Sequence, residues 1–268
     1  MHSISALRFL SMIALVLLLA ACGGGVGGDT TIAPTTPNFR IVDLTSGAYT
    51  TQSAQPDLTQ AQYSTTAMAF RRVPGSATVG EFWLAMLELT QGQWAAITGD
   101  PANTPWKLVT QPGTVGSAVT VANKPAYGLT ADEVIATLGT WSTAHANTLL
   151  LPSETQWEWA CRAGTTGLFA WGDSLDPAFA RSFAVARETA SGSVGVQVVG
   201  DARISNGLTL WDMHGNVREW VTTSGVPVLR GGSWADNLLQ CRSASRFIGV
   251  DRDRRHALSG ARLMFTAP

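Results

Sequence analysis

The chain closes with Arg230-Gly231-Gly232-Ser233-Trp234, then Cys241-Arg242-Ser243-Ala244, then Arg246, Arg254 and Gly260-Ala261-Arg262. Other residues interrupt these fixed-looking positions. Ala235, Asp236, Leu238, Leu239 and Gln240 form a first run. Ser245 and then Phe247, Ile248, Gly249 and Val250 form a second. Arg255, His256 and Ala257 belong to a third. Apolar, acidic, basic and amide side chains mix there with neither a helical nor a strand period. Such a stretch is either a plain surface loop or a binding surface carried on a stiff frame, and the upstream chain decides which.

The chain has 268 residues, enough for one sizeable domain with a buried core. Only 14% of residues are charged and the net charge is −1, which gives no electrostatic case for a nucleic-acid partner. Ten Trp stand against three Tyr, alongside 27 Gly. That balance predicts an irregular, turn-rich fold held by large aromatic plugs, since one aromatic side chain buries about 150–250 Å².

Arg8 precedes an apolar run from Phe9 to Ala21 that is short for a membrane span. The run ends Leu19-Ala20-Ala21-Cys22, followed by three Gly. Small residues before a Cys at this point resemble the lipobox of bacterial lipoproteins. The resemblance implies a signal peptide over residues 1–22, lipidation at Cys22 and a place in the bacterial envelope, at the outer membrane or cell surface. An ordinary secretory signal cleaved near Ala21 is the other reading. Residues 23–40 begin rich in Gly, Thr and Pro and read as a tether. One domain over 41–268 follows, with its variable part at about 229–268. In an oxidising compartment Cys161 and Cys241 either form a disulfide or stand as two buried free thiols.

Within that domain, Ile41 to Tyr63 offers one or two edge strands. Ala67–Val73 and Glu81–Leu87 read as strands. Thr90 is an expected N-cap for a helix over Gln91–Thr98, with Trp94 and Ile97 on one face. Thr130 and Glu133 have capping-box spacing and open a helix to about Thr143. Ser153 and Gln156 repeat that spacing and open a short helix closed by Gly164. Trp157 and Trp159, two apart, point to different sides of it. Phe169–Asp173 reads as a turn with an aromatic plug, and residues 174–203 as loop and short strands.

Five segments then occur in order: Glu88-Leu-Thr-Gln-Gly-Gln-Trp94, Leu151-Pro-Ser-Glu-Thr-Gln-Trp-Glu-Trp-Ala160, Gly207-Leu-Thr-Leu-Trp-Asp-Met-His-Gly-Asn-Val-Arg-Glu-Trp220, Arg230-Gly-Gly-Ser-Trp234 and Gly260-Ala-Arg-Leu263. Together they resemble the formylglycine-generating enzyme (sulfatase-modifying factor) family. The resemblance implies an α+β, C-type-lectin-like fold with little regular structure, a small antiparallel sheet and short helices.

That family's enzymes oxidise a substrate cysteine with a copper-binding cysteine pair placed soon after the Gly-Gly-Ser-Trp segment. Here Cys241 is the only thiol nearby, and soft Cu(I) calls for a thiolate pair. The four His (His2, His145, His214 and His256) are scattered without ligand spacing. The expectation is therefore no catalytic residues and no catalytic cofactor. Asn216 and Glu219 resemble a family calcium site, with bonding to their own turn as the other reading.

The order Arg-Gly-Gly-Ser-Trp, variable run, Cys-Arg-Ser-Ala-x-Arg, variable runs and terminal Gly-x-Arg resembles the variable proteins of diversity-generating retroelements. Gly260-Ala-Arg262 departs from their usual Gly-Phe-Arg. The resemblance implies a surface-displayed protein that binds a protein or other macromolecule. On this reading Arg230, Gly231, Gly232, Trp234, Arg242, Arg246, Arg254 and Arg262 are scaffold, because arginine bonds several loop acceptors at once. Arg242 and Arg246, four apart, are expected to share a helical face. The irregular positions named above are the contact residues, and Leu238, Leu239, Phe247, Ile248 and Val250 form an exposed apolar patch.

Overall fold

The computed structural model describes residues 37–109, 120–189, 195–201 and 203–268. The signal segment, Cys22 and most of the expected tether lie outside these. Strand β1 begins at Phe39, so the fold starts just inside the stretch expected as tether.

In chain order come β1 (Phe39–Asp43), β2 (Tyr49–Gln52), β3 (Ala67–Val73), β4 (Phe82–Ala85) and helix α1 (Gln91–Thr98). Next are α2 (Ala131–Ala144), β5 (Thr148–Leu150), α3 (Glu154–Arg162) and the single turn α4 (Pro177–Ala180). The chain ends with β6 (Arg218–Thr223), β7 (Val226–Arg230), β8 (Arg246–Phe247), β9 (Ser259–Ala261) and β10 (Met264–Thr266). The strands make two sheets. One has six strands in the order β2-β1-β3-β4-β10-β5, and the other has four in the order β8-β7-β6-β9. Every pair is antiparallel except β6 with β9. Instead of the one small antiparallel sheet expected, there are two, with a parallel pair, because β9 enters from a long loop after β8.

Local chemistry sets the helix starts. Thr90 accepts from the Gln93 amide while the Gln93 side chain reaches back, and Ser153 and Gln156 do the same. Thr130 accepts from the Glu133 amide, but the Glu133 carboxylate turns away to an arginine. At the end of α3 the first left-handed residue is Ala163, one position ahead of Gly164. Trp157 is fully buried, whereas Trp159 leans out and donates its Nε1–H to the Pro74 carbonyl.

The Trp load has a second use beyond volume. Trp141 donates to the Leu44 carbonyl, Trp211 to that of Arg203 and Trp220 to that of Leu129. Each indole fills the core and bonds a segment far away or irregular, which suits a fold whose loops need fixing.

The two sheets are joined by residues between β9 and β10. Gly260 pairs with Glu219, and a Cβ at 260 would lie 2.7 Å from the Ala126 carbonyl oxygen. Arg262 then turns into the interior and is fully buried. Its Nε and Nη2 face the Glu219 carboxylate, at 3.0 and 2.8 Å. Nη1 donates to the Ala85 carbonyl on β4, and Nη2 also to that of Trp211. Glu219 accepts from Trp157 Nε1 as well. One guanidinium thus ties β6 of one sheet to β4 of the other. Burial opposes its charge, but Glu219 and further carboxylates hold Arg262 cationic. Replacing one partner of such a pair strands the other. Arg262→Ala is expected to lower unfolding free energy by about 3–5 kcal/mol in a denaturant titration.

Candidate binding surface

The C-terminal stretch is held from beneath. After β7, Gly231 and Gly232 take positive φ, and a Cβ at 232 would meet the Cys241 sulfur at 2.5 Å. The turn brings the Trp234 amide to the Asn216 carbonyl, and Trp234 is buried. Arg230 is 1% exposed and donates to Glu154 and Glu158 on α3 and to the Ser243 and Ala244 carbonyls. It fixes the middle of the stretch to α3. Arg246 also pairs with Glu154 but stays exposed. Burial pushes the Glu154 pKa upward, yet bonds from Arg246 and Thr223 and the charge of Arg230 outweigh this and hold it below the usual carboxylate range.

Several expected roles change. Asp236 is buried, not a contact residue. Its carboxylate takes both arms of Arg218, at 2.9 and 2.6 Å, and the Ser233 hydroxyl. Leu238 is also buried, packed with Phe169, Ala180, Ala184 and Cys241. Residues Leu238–Cys241 form one 3-10 turn capped by Asn237 and Gln240, which drives Leu238 inward and Leu239 outward. Arg242 follows this turn in extended backbone, exposed, with its Nε on the Leu239 carbonyl. It therefore shares no helical face with Arg246, which lies in β8.

Arg254 and Arg255 exchange roles. Arg255 donates to both Glu133 oxygens, at 2.6 and 3.0 Å, and to the Gly128 carbonyl, anchoring the last loop to the start of α2. Arg252 adds a pair with Asp132. Arg254 is exposed, and among the described residues its side chain has no hydrogen bond or ion pair. Phe247 is half-buried against the main core, with the Arg218 guanidinium 3.9 Å over its ring. Arg218, which no sequence pattern singled out, thus supports two positions of the stretch.

What remains outward is specific. Leu239 is 46% and Ile248 70% exposed. Gln240, Gly249 and His256 are exposed, while Ala235, Ser245, Val250 and Ala257 are half-buried. Gly249, Val250, Arg255, His256 and Ala257 help line a concavity of about 510 Å³ whose rim includes Arg254. The expected apolar patch is thus narrower: Leu239 and Ile248 stand out, and Leu238 does not.

Cys161 and Cys241 are both free and buried. Cys161 Sγ faces the His214 ring and the Ser243 hydroxyl, and Cys241 Sγ faces the Ser233 carbonyl. Burial pushes the Cys161 thiol up to about 12 and raises that of Cys241, with Asp236 and Glu188 adding to the second. Neither offers a thiolate at neutral pH. His214 Nε2 accepts from the Ala170 amide, so Nδ1–H donates to the Cys241 carbonyl. Burial lowers its pKa to about 4. Asn216 and Glu219 do not face one site. Asn216 bonds Glu88 and the Gln197 amide, while Glu219 is taken by Arg262 and Trp157. The calcium reading of that turn gives way to structural bonding. Among the described residues, no cluster of His, Cys, Asp or Glu has metal-site geometry.

The fold and this layout define a C-type-lectin-like domain carrying an irregular surface over a rigid polar frame. The chain belongs to the sulfatase-modifying factor family: residues 33–267 match the sulfatase-modifying factor enzyme 1-like domain. It is 42% identical over 84 residues to a formylglycine-generating enzyme of Mycobacterium tuberculosis, covering 29% of this chain and 28% of that one. It is 33% identical over 97 residues to an inactive Cα-formylglycine-generating enzyme 2 of Mus musculus, covering 32% of each. The chain thus spans under a third of those relatives. Similar solved structures include Treponema denticola variable protein 1, at TM-score 0.59 and 18% identity, covering 76% of this chain and 96% of that one. PvdO from Pseudomonas aeruginosa matches at TM-score 0.56 and 20% identity, covering 74% and 83%. At these identities the structural likeness is one of fold.

Two outcomes check the layout. Leu238→Ala is expected to cost about 2–5 kcal/mol, and Leu239→Ala or Ile248→Ala no more than about 0.5 kcal/mol, by chemical denaturation. The second outcome concerns pH. Folded His214 stays neutral to about pH 4, whereas the unfolded ring binds a proton below about 6.5. The contribution is intact above pH 6.5 and falls by about 3 kcal/mol on descent to pH 4. His214→Gln should flatten that slope; an unchanged slope contradicts the assignment.

Proposed function

We propose that this chain is a non-enzymatic, envelope-displayed binding protein. Its C-terminal stretch contacts a protein or other macromolecule, and a retroelement diversifies that stretch. The observation that carries this reading is the separation of roles along it. Arg230, Asp236, Leu238, Arg255 and Arg262 are spent on internal bonds or packing, while Leu239 and Ile248 project without their side chains supporting the fold. Side chains at such positions can change while the backbone stays fixed. Lipidation at Cys22, through the sequence resemblance, supplies the anchor to the bacterial envelope in this account, at the outer membrane or cell surface.

The second reading is a sulfatase-modifying enzyme or accessory, favoured by the match to the mycobacterial enzyme. Against it stand a buried Cys241 with a raised pKa and no partner thiol after Trp234. An invariant structural role in the envelope is a third.

The test pairs genome and protein. A near-copy of the last hundred or so nucleotides, differing at adenines and lying beside a reverse-transcriptase gene, supports diversification. The binding arm uses the whole chain on intact cells of neighbouring species. Leu239→Ala/Ile248→Ala should abolish capture with unchanged thermal unfolding. Copper-dependent oxidation of a cysteine peptide by the purified chain contradicts the reading.

A further inference from the structure

A second concavity, about 600 Å³, lies between the segment Gln55–Ser64 and the strap Val198–Asp201. None of its lining residues belongs to the C-terminal stretch. Its size falls within the range of about 300–1,000 Å³ usual for small-molecule sites.

Its chemistry is one-sided. Leu58, Tyr63, Leu87 and Trp211 supply apolar and aromatic walls, and Asp57 and Asp201 sit at its edge. No Lys, Arg or His lines it among the described residues. Trp211 is fixed by its Nε1–H on the Arg203 carbonyl and its amide on the Met86 carbonyl, so its ring is held rather than free. Tyr63 is mostly buried, and its ring forms part of the cleft wall. The Asp201 carboxylate accepts no hydrogen bond among the described residues, whereas Asp57 is occupied by Thr59. The cleft thus holds a fixed indole and two carboxylates, and the cation that feels Asp201, Arg203, is already paired with the buried Asp212.

We infer that this cleft binds a small organic cation, an ammonium group carried on an apolar stem. The indole face attracts the cation through its quadrupole, and Asp201 and Asp57 add opposite charge at the edge. An anionic ligand meets two carboxylates, and the Arg203 charge beside Asp201 is already taken by Asp212. The same group can arrive as a free amine or as a lysine side chain of a peptide, and the test separates the two.

The full chain is titrated calorimetrically with choline, with butylamine, with a lysine-containing pentapeptide and with 3,3-dimethyl-1-butanol, the neutral isostere of choline. Saturable binding of the cations, weakened by salt and absent for the alcohol, is expected. The pentapeptide binding more tightly than butylamine identifies a peptide source, and the reverse order a free amine. Asp201→Asn removes only an exposed carboxylate and should weaken binding by about tenfold. Trp211→Phe, which keeps the ring but loses the stronger indole face, should weaken it less. Leu239→Ala/Ile248→Ala should leave it unchanged, which separates this site from the C-terminal surface. No saturable heat with any cation from a folded chain, equal binding of the alcohol, or an unaffected Asp201→Asn overturns the proposal.

Discussion

The structure depends on one buried ion pair, Arg262 with Glu219. Both are essentially inaccessible, and their attraction acts across the gap between two sheets that share no strand pairing. Glu219 sits on β6 and Arg262 between β9 and β10, so the pair fixes where the chain crosses from one sheet to the other. A buried pair is poor as a source of raw stability, because desolvation offsets much of the attraction. Its value here is positional. A guanidinium with donors for Glu219, Ala85 and Trp211 fits one arrangement of β4, β6 and the Trp211 loop, and an apolar replacement would tolerate several.

Around that pair lie the buried Glu88 and Asp212 and the half-buried Arg203. Glu88 accepts from Asn216 and from the Val217 amide, and its pKa is raised by burial and by the charges of Asp212 and Glu219. This polar centre holds the Asn216 turn, and the turn in turn receives the Trp234 amide. The C-terminal stretch is therefore supported through a chain of bonds that ends at the sheet junction. Arg230, bonded to α3, and Arg255, bonded to α2, support it independently at two further points. A surface fixed at three places can change its outward side chains without losing its backbone.

The local parts of this were legible in the sequence. The Thr90 N-cap, the Ser153–Gln156 capping box, the β3 strand, the shared face of Trp94 and Ile97, and the divergence of Trp157 from Trp159 all follow from neighbours within a few residues. The five ordered segments identified the family. What stayed hidden was decided by distant partners. Arg255 looked variable because Glu133, which anchors it, lies 122 residues away. Arg254 looked fixed because nothing in the sequence distinguishes it from its neighbour. Asp236 and Leu238 read as surface because an irregular run has no period to assign its faces, and the Asn237–Gln240 cap that orients it is too short to announce a helix. Arg218 was invisible as a support for the same reason: its partners, Asp236 and Phe247, become its neighbours only through folding.

The central claim is that outward and inward positions of the C-terminal stretch are energetically separate. Protease resistance of two displayed libraries tests it most directly. One library is randomised together at Leu239 and Ile248, the other at Asp236, Leu238, Arg255 and Arg230. The account predicts that most members of the first library resist protease as the parent does and that few members of the second do. Equal loss of resistance in both libraries would contradict it, since the outward positions would then be part of what holds the fold.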